Sequence, residues 1–128
     1  MRKQYHFRHS ERRELVWDVD KLIRRTTDLS AIEVLLSKIR ELDEPYWYEL
    51  GGAVPTCRSI AEHMQLVAEA DLSYPIIVCP EGRLMDGMHR VVKALMEGRE
   101  SVMAYQLEVL PEPDYVDVDP DDLIYERP

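Results

Sequence analysis

The sequence predicts an α+β fold, a small mixed β-sheet with helices packed against it, and three observations carry that prediction. Short apolar runs and period-two stretches alternate along the chain with stretches of helical period. The breaks between them fall on proline, glycine or capping residues. The 128 residues fit one domain with one modest core.

Each element follows from its own stretch. "ELVWDVDKLI" (Glu14–Ile23) puts Leu15, Trp17 and Val19 on one face at period two, so its first half reads as a strand. In "DLSAIEVLLSKIRELDE", Ser30 precedes Glu33 by three residues, a capping-box pattern. Ile32, Leu35, Leu36, Ile39 and Leu42 then form a stripe at helical spacing, which predicts a helix ending near Glu44-Pro45. "PYWYELGGAVP" (Pro45–Pro55) reads as a loop. A second helix is expected from about Thr56 to Ala70, with Ile60, Met64, Val67 and Ala68 inward. "YPIIVCP" predicts a short buried strand, "PEG" a turn and "RLMD" the next strand. A helix from Gly87 should end at Gly98, a left-handed cap position, and "SVMAYQLEV" should form the last strand. Residues 1–110 thus make the domain. Residues 111–128, with four prolines and many acids, are expected as an extended or partly mobile arm.

The net charge of -9 is unevenly spread. Residues 1–25 hold eight Lys/Arg and four Asp/Glu, whereas residues 111–128 hold one Arg and seven acids. An acidic whole argues against DNA binding by the isolated chain, although the basic N-terminal arm is a local patch. Such an arm is more often solvated, or pairs with an acidic stretch of its own chain. No apolar run approaches the ~20 residues that span a bilayer, and no secretory h-region precedes the domain. Cys57 and Cys79 lie outside any metal-binding spacing, so a cytoplasmic protein with free thiols is expected.

The stretch "GRLMDGMHRVVKALMEGRE" carries the chemistry. On a helix from Gly87, Met88, Val91, Val92 and Leu95 make a buried stripe, while His89, Arg90 and Lys93 share another face. A helix start offers unpaired N–H groups and the positive end of the dipole, and Gly87 lets a ligand approach closely. Strand, Asp-Gly, helix start and adjacent cations describe an anion site, phosphate foremost. Asp86 would hold a magnesium ion or orient His89. The plain alternative is a capping Asp86, a turn glycine and a solvated cationic face.

"YPIIVCPEGRLMDGMHRVVKALMEGRESVMAYQL" (Tyr74–Leu107) resembles the core of the ParB/sulfiredoxin superfamily: a Pro-Ile strand, a hairpin, DG-x-HR, helix, Gly and a final strand. "VWDVDKLI" matches its first strand more loosely. The resemblance implies that the motif helix binds nucleotide phosphates, as in CTP-hydrolysing partition proteins, ATP-using sulfiredoxins and ADP-dependent free-serine kinases. It assigns phosphate contacts to Gly87, His89 and Arg90, with Asp86 matching the first residue of the kinase-type motif. Sulfiredoxins place a reactive cysteine, partition proteins a glutamate and the kinases a histidine where this chain has Met88. A thioether is neither a base nor a magnesium ligand, so sulfiredoxin activity is not expected and another residue would have to serve as base. About twenty residues follow the last strand, too few for the helix-turn-helix and dimerisation domains of a partition protein.

The expected ligand is therefore a nucleotide (ATP, ADP or CTP) or another phosphorylated small molecule, with Mg2+, and a homodimer is the oligomer considered. Catalysis would be phosphoryl transfer or nucleotide hydrolysis. His89 and Arg90 would steady phosphate, Asp86 the metal, and Asp43, Glu44 or Glu49 would act as base, Glu44 foremost. Lys93 and Arg58 are expected as further phosphate contacts, and Trp47 or Tyr48 would either stack on a base or cap the core. Thr56 reads as a cap, Cys79 as core and His63 as an exposed residue of the second helix. Two rivals stand beside this: a nucleic-acid-binding or nuclease-like module using the basic arm, and a non-catalytic interaction domain.

Overall fold

The structure, a computed structural model, describes residues 3–48 and 53–126. Among the described residues its α+β architecture has two sheets and three α-helices. Strands β1 (Tyr5–Ser10) and β2 (Arg13–Asp18) form an antiparallel hairpin around Glu11 and Arg12, both at positive φ. Such a turn matches the twist of the two strands it joins. Asp18 ends β2 and caps α1 (Val19–Arg24) by accepting from the Asp20 N–H. Strand β3 (Ile32–Leu35) follows, then two 3-10 turns, then α2 (Cys57–Glu69). Strands β4 (Ile76–Val78) and β5 (Leu84–Asp86), helix α3 (Met88–Met96) and strand β6 (Ser101–Gln106) complete the second sheet. The order in that sheet is β3-β6-β4-β5, with β4 and β6 parallel and the other pairs antiparallel. A short strand β7 (Tyr115–Val116) returns to pair with β2.

Strand β4 shows how the core is divided. Ile76 and Val78 face one cluster with Leu84, Met88, Val91, Ala94, Leu36 and Ile39. Ile77 and Cys79 face a second with Trp17, Val19, Leu22 and Met85. Alternation along a strand buried on both sides supplies both layers. Met88 is 5% exposed, so it packs as the helical period indicates, whereas Leu95 of the same expected stripe is exposed and Ala94 takes the inner place. At the far end of α3, Gly98 sits at φ 75 and the Arg99 N–H returns to the Ala94 carbonyl, the left-handed termination expected there.

The helix expected over residues 30–44 does not form. Ile32–Leu35 pairs with β6 (Val34 opposite Val102), and the chain then makes 3-10 turns at Leu36–Lys38 and Arg40–Asp43. The same apolar residues serve either structure: Leu36 and Ile39 go to the core, while Ile32 and Leu35 are left exposed on the edge strand. The open side of β6 outweighs local helix propensity, and β-branched Ile32 and Val34 suit the strand.

The first and last described segments pack together. Lys3 forms ion pairs with Asp18 (2.7 Å) and Asp20 (3.4 Å) and donates its N–H to the Tyr125 carbonyl. The Trp17 indole donates to the Pro111 carbonyl at 2.8 Å, and Leu123 is buried. Among the described residues no helix is long and apolar enough to cross a membrane.

Candidate functional site

Strand β5 ends at Asp86, and Gly87 turns the chain into α3 at φ 112 and ψ 23. The glycine is required by the fold itself. A Cβ there would lie 2.6 Å from Ile76 Cγ2, so the turn presses directly onto β4. No side chain caps the start of α3, and Asp86, expected as a cap or metal holder, bonds elsewhere. Its Oδ2 accepts from Arg90 Nη2 at 2.8 Å, with both side chains mostly buried. Burial pushes the Asp86 carboxyl above its ordinary value, and the Arg90 charge and hydrogen bond oppose that rise.

Arg90 and Lys93, two of the cations expected to hold phosphate, are engaged with their own chain. Arg90 Nη1 donates to the carbonyls of Tyr74 (3.1 Å) and Pro75 (2.8 Å), tying the entry of β4 to α3. Lys93 Nζ donates to the carbonyls of Ala68 (2.9 Å) and Ala70 (2.6 Å), satisfying the end of α2. Arg58 is exposed in the first turn of α2, after the Thr56 cap, whose hydroxyl accepts from the Ser59 N–H. Glu44 is held by Arg83 through two bonds of 2.9 and 3.1 Å, which lower its pKa. It lines a different cavity, on the β1 side. Asp43 is exposed, and Glu49 lies outside the described residues.

His89 makes the contact that sequence reasoning missed. Its Nε2 is 2.9 Å from Nδ1 of His63 on α2, and Trp47 stacks over both rings, at 4.1 Å and 10° for His63 and 4.9 Å and 19° for His89. His63 is therefore a half-buried member of an aromatic cluster, not the free surface residue expected. Tyr48 closes the cluster edge-on to His63, and its hydroxyl bonds Ser59 Oγ at 3.0 Å. The aromatic residues of "PYWY" signalled stacking, but nothing local signalled imidazoles as the partners. Burial, then the proximity of His63 and the Arg90 charge, lowers the pKa of His89 to about 4; burial lowers that of His63 as well. Both rings are neutral at pH 7, one nitrogen donating and the other accepting.

Beside this cluster an open groove of about 460 Å³ runs between α2 and α3. Its walls include Trp47, Ile60, Met64, Val67, Val92 and Met96. Of the four α2 residues expected inward only Val67 is buried; Ile60, Met64 and Ala68 face this groove instead. The α2 stripe has the predicted period, but α3 covers only one edge of it. Among the described residues no three metal-ligating side chains come together, and Asp86 is already neutralised by Arg90. A magnesium ion arriving on a nucleotide would meet a single carboxylate. No family model, curated protein or solved structure matches the chain.

Proposed function

We propose that the chain is a binding module for a phosphorylated small molecule, a nucleotide such as ATP, ADP or CTP first, taken at the start of α3 and along the α2–α3 groove. One juxtaposition carries the reading. His89 belongs to the first turn of an uncapped helix and reaches under Trp47 to His63, so one imidazole joins a set of peptide N–H donors to an aromatic, apolar wall. Peptide N–H groups with a helix dipole behind them suit phosphate. Trp47, Val92 and Met96 suit the flat, less polar part of the ligand. Arg90, Lys93 and Gly87 shape the site through the scaffold, and Mg2+ would arrive with the nucleotide. Phosphoryl transfer or hydrolysis at this site would rest on His89, the neutral imidazole nearest the helix start.

Kinship with the ParB/sulfiredoxin fold is part of the proposal. Its support is the element order: a Pro-Ile strand, a hairpin, the DG-x-HR helix, Gly98, and β6 returning parallel to β4. A second reading, a non-catalytic interaction domain, is favoured by the exposed Ile60, Met64 and Met96 on the same groove.

Thermal-shift and calorimetric titration with ATP, ADP, CTP and pyrophosphate, with and without Mg2+, separates the two. A ligand at one hundred times its Kd adds about 2.7 kcal/mol of stability, a readily measured rise in Tm. The rise should vanish in His89→Ala and persist in Arg58→Ala. No rise with any of the four ligands would remove the phosphate reading and leave the interaction domain.

A further inference from the structure

A second cavity, of about 480 Å³, opens between β1 and the 3-10 segment before the aromatic loop, lined among others by His6, Arg8, Glu41, Glu44, Tyr46 and Arg83. Glu41 is 3% exposed. Its Oε2 accepts from the Leu84 N–H at 2.8 Å and from Arg83 Nε at 3.1 Å, while its Oε1 is buried with no partner among the described residues. Arg8 shows the converse. Its Nε donates to His6 Nε2 at 2.9 Å and its guanidinium lies over the Trp17 ring, but its Nη2 is buried without a partner among the described residues. The two residues that carry a bare acceptor and a bare donor thus both line one cavity, each with its unpartnered atom buried behind the cavity surface. Each is costly to keep so, and a ligand that satisfies both recovers both costs.

The neighbours narrow the ligand. Because His6 Nε2 accepts from Arg8, the ring proton of neutral His6 sits on Nδ1, which faces Tyr46 Oη at 3.4 Å. Burial, with Arg8 and Arg83 nearby, lowers the pKa of His6 to about 3, so the ring stays neutral. Tyr46 then accepts from His6 and keeps its own O–H as a further donor. Arg8 and Arg83 balance Glu41 and Glu44 in charge, which disfavours any ligand with a net charge.

We propose that this cavity binds a small neutral molecule with an amide-type edge, an N–H donor beside a carbonyl or ring-nitrogen acceptor, as in a primary carboxamide or a nucleobase. The N–H would go to Glu41 Oε1, and Arg8 Nη2 would donate to the acceptor. Arg8, the long half-buried side chain of the pair, turns to admit it. The site is separate from the α3 groove and does not depend on the phosphate reading.

The probes are nicotinamide and cytosine, with nicotinate as the charged control, titrated against the full chain by NMR. The reporter is the Leu84 amide, which shares the Glu41 carboxylate. The expected result is a saturable shift of that amide with at least one neutral probe, weaker by about tenfold or more for nicotinate, since a site built to pair an N–H rejects the analogue lacking it. Arg8→Met should weaken binding about tenfold, one lost charge-assisted bond, and His89→Ala should leave it unchanged. Glu41→Gln serves as a second variant wherever Arg8→Met fails to fold. A Leu84 amide that does not move up to about 20 mM of either neutral probe, weaker than any affinity of use, would overturn the proposal. So would full binding in a folded variant.

Discussion

Replacing Gly87 by alanine places a methyl carbon 2.6 Å from Ile76 Cγ2 and 3.0 Å from Ile76 Cβ and Arg90 Nη2. Arg90 cannot swing aside without leaving Asp86 and the carbonyls of Tyr74 and Pro75, and Ile76 is 1% exposed in β4. Two costs add. A side chain at φ 112 suffers left-handed strain of about 1–2 kcal/mol, and overpacking a dense core adds about 1–3 kcal/mol. The expected loss is therefore about 2–5 kcal/mol, measurable as a lower urea midpoint with an unchanged slope. Removing the obstacle tests the cause. Ile76→Ala alone should destabilise by about 2–5 kcal/mol through the cavity it leaves. The double variant should fall short of the sum by about 1 kcal/mol or more, because only the steric part is shared. Strict additivity, or a Gly87→Ala loss below about 0.5 kcal/mol, would refute the claim that the turn is glycine because it presses on β4.

Lys93→Met should cost about 1–2 kcal/mol, since it removes charge-assisted bonds at the end of α2; hydrogen exchange at Ala68–Ala70 should speed up, and unaltered exchange there would count against that role. Met88→Leu, a shape-similar change at a buried position, should cost less than about 1.5 kcal/mol and leave any ligand-induced Tm shift intact, so loss of that shift in a folded variant would return Met88 to the chemistry. His6 is protonated near pH 3 when folded and near its ordinary ~6.5 when unfolded. Between those values only the unfolded chain holds the proton. The contribution of His6 is thus complete above ~6.5 and lost as pH falls toward 3, at up to ~1.4 kcal/mol per pH unit. Chemical denaturation from pH 7 to 4 should show that slope, reduced in His6→Asn; equal slopes would exclude His6 as the cause.

The sequence by itself determined the segment from Tyr74 to Leu107. Strand, hairpin, helix and returning strand there are written in local signals: the apolar run of β4, the turn at Pro80–Gly82, the Met88 and Val91 spacing, and the left-handed stop at Gly98. The Thr56 cap and the bounds of α2 are local in the same sense. Each needs only a few neighbouring residues, so periodicity and capping chemistry suffice.

Tertiary structure decided the rest. Residues 32–35 became a strand because β6 offered an open edge, a partner almost seventy positions away that no helical period reveals. The acidic tail joined the first sheet through β7 for the same reason, since its partner β2 lies near the other end of the chain, whereas β1 pairs locally with β2 across a two-residue turn. The candidate site divides along this line. Asp86, His89, Arg90 and Lys93 were visible in the DG-x-HR stretch, but which groups Arg90, Lys93 and Glu44 would bond was not: folding brings backbone carbonyls to Arg90 and Lys93 and the Arg83 guanidinium to Glu44, and these compete with any ligand. The meeting of His63, His89 and Trp47 was equally invisible. It depends on how α2 and the aromatic loop fold over α3, and a period records which face of an element is apolar, never what comes to cover it.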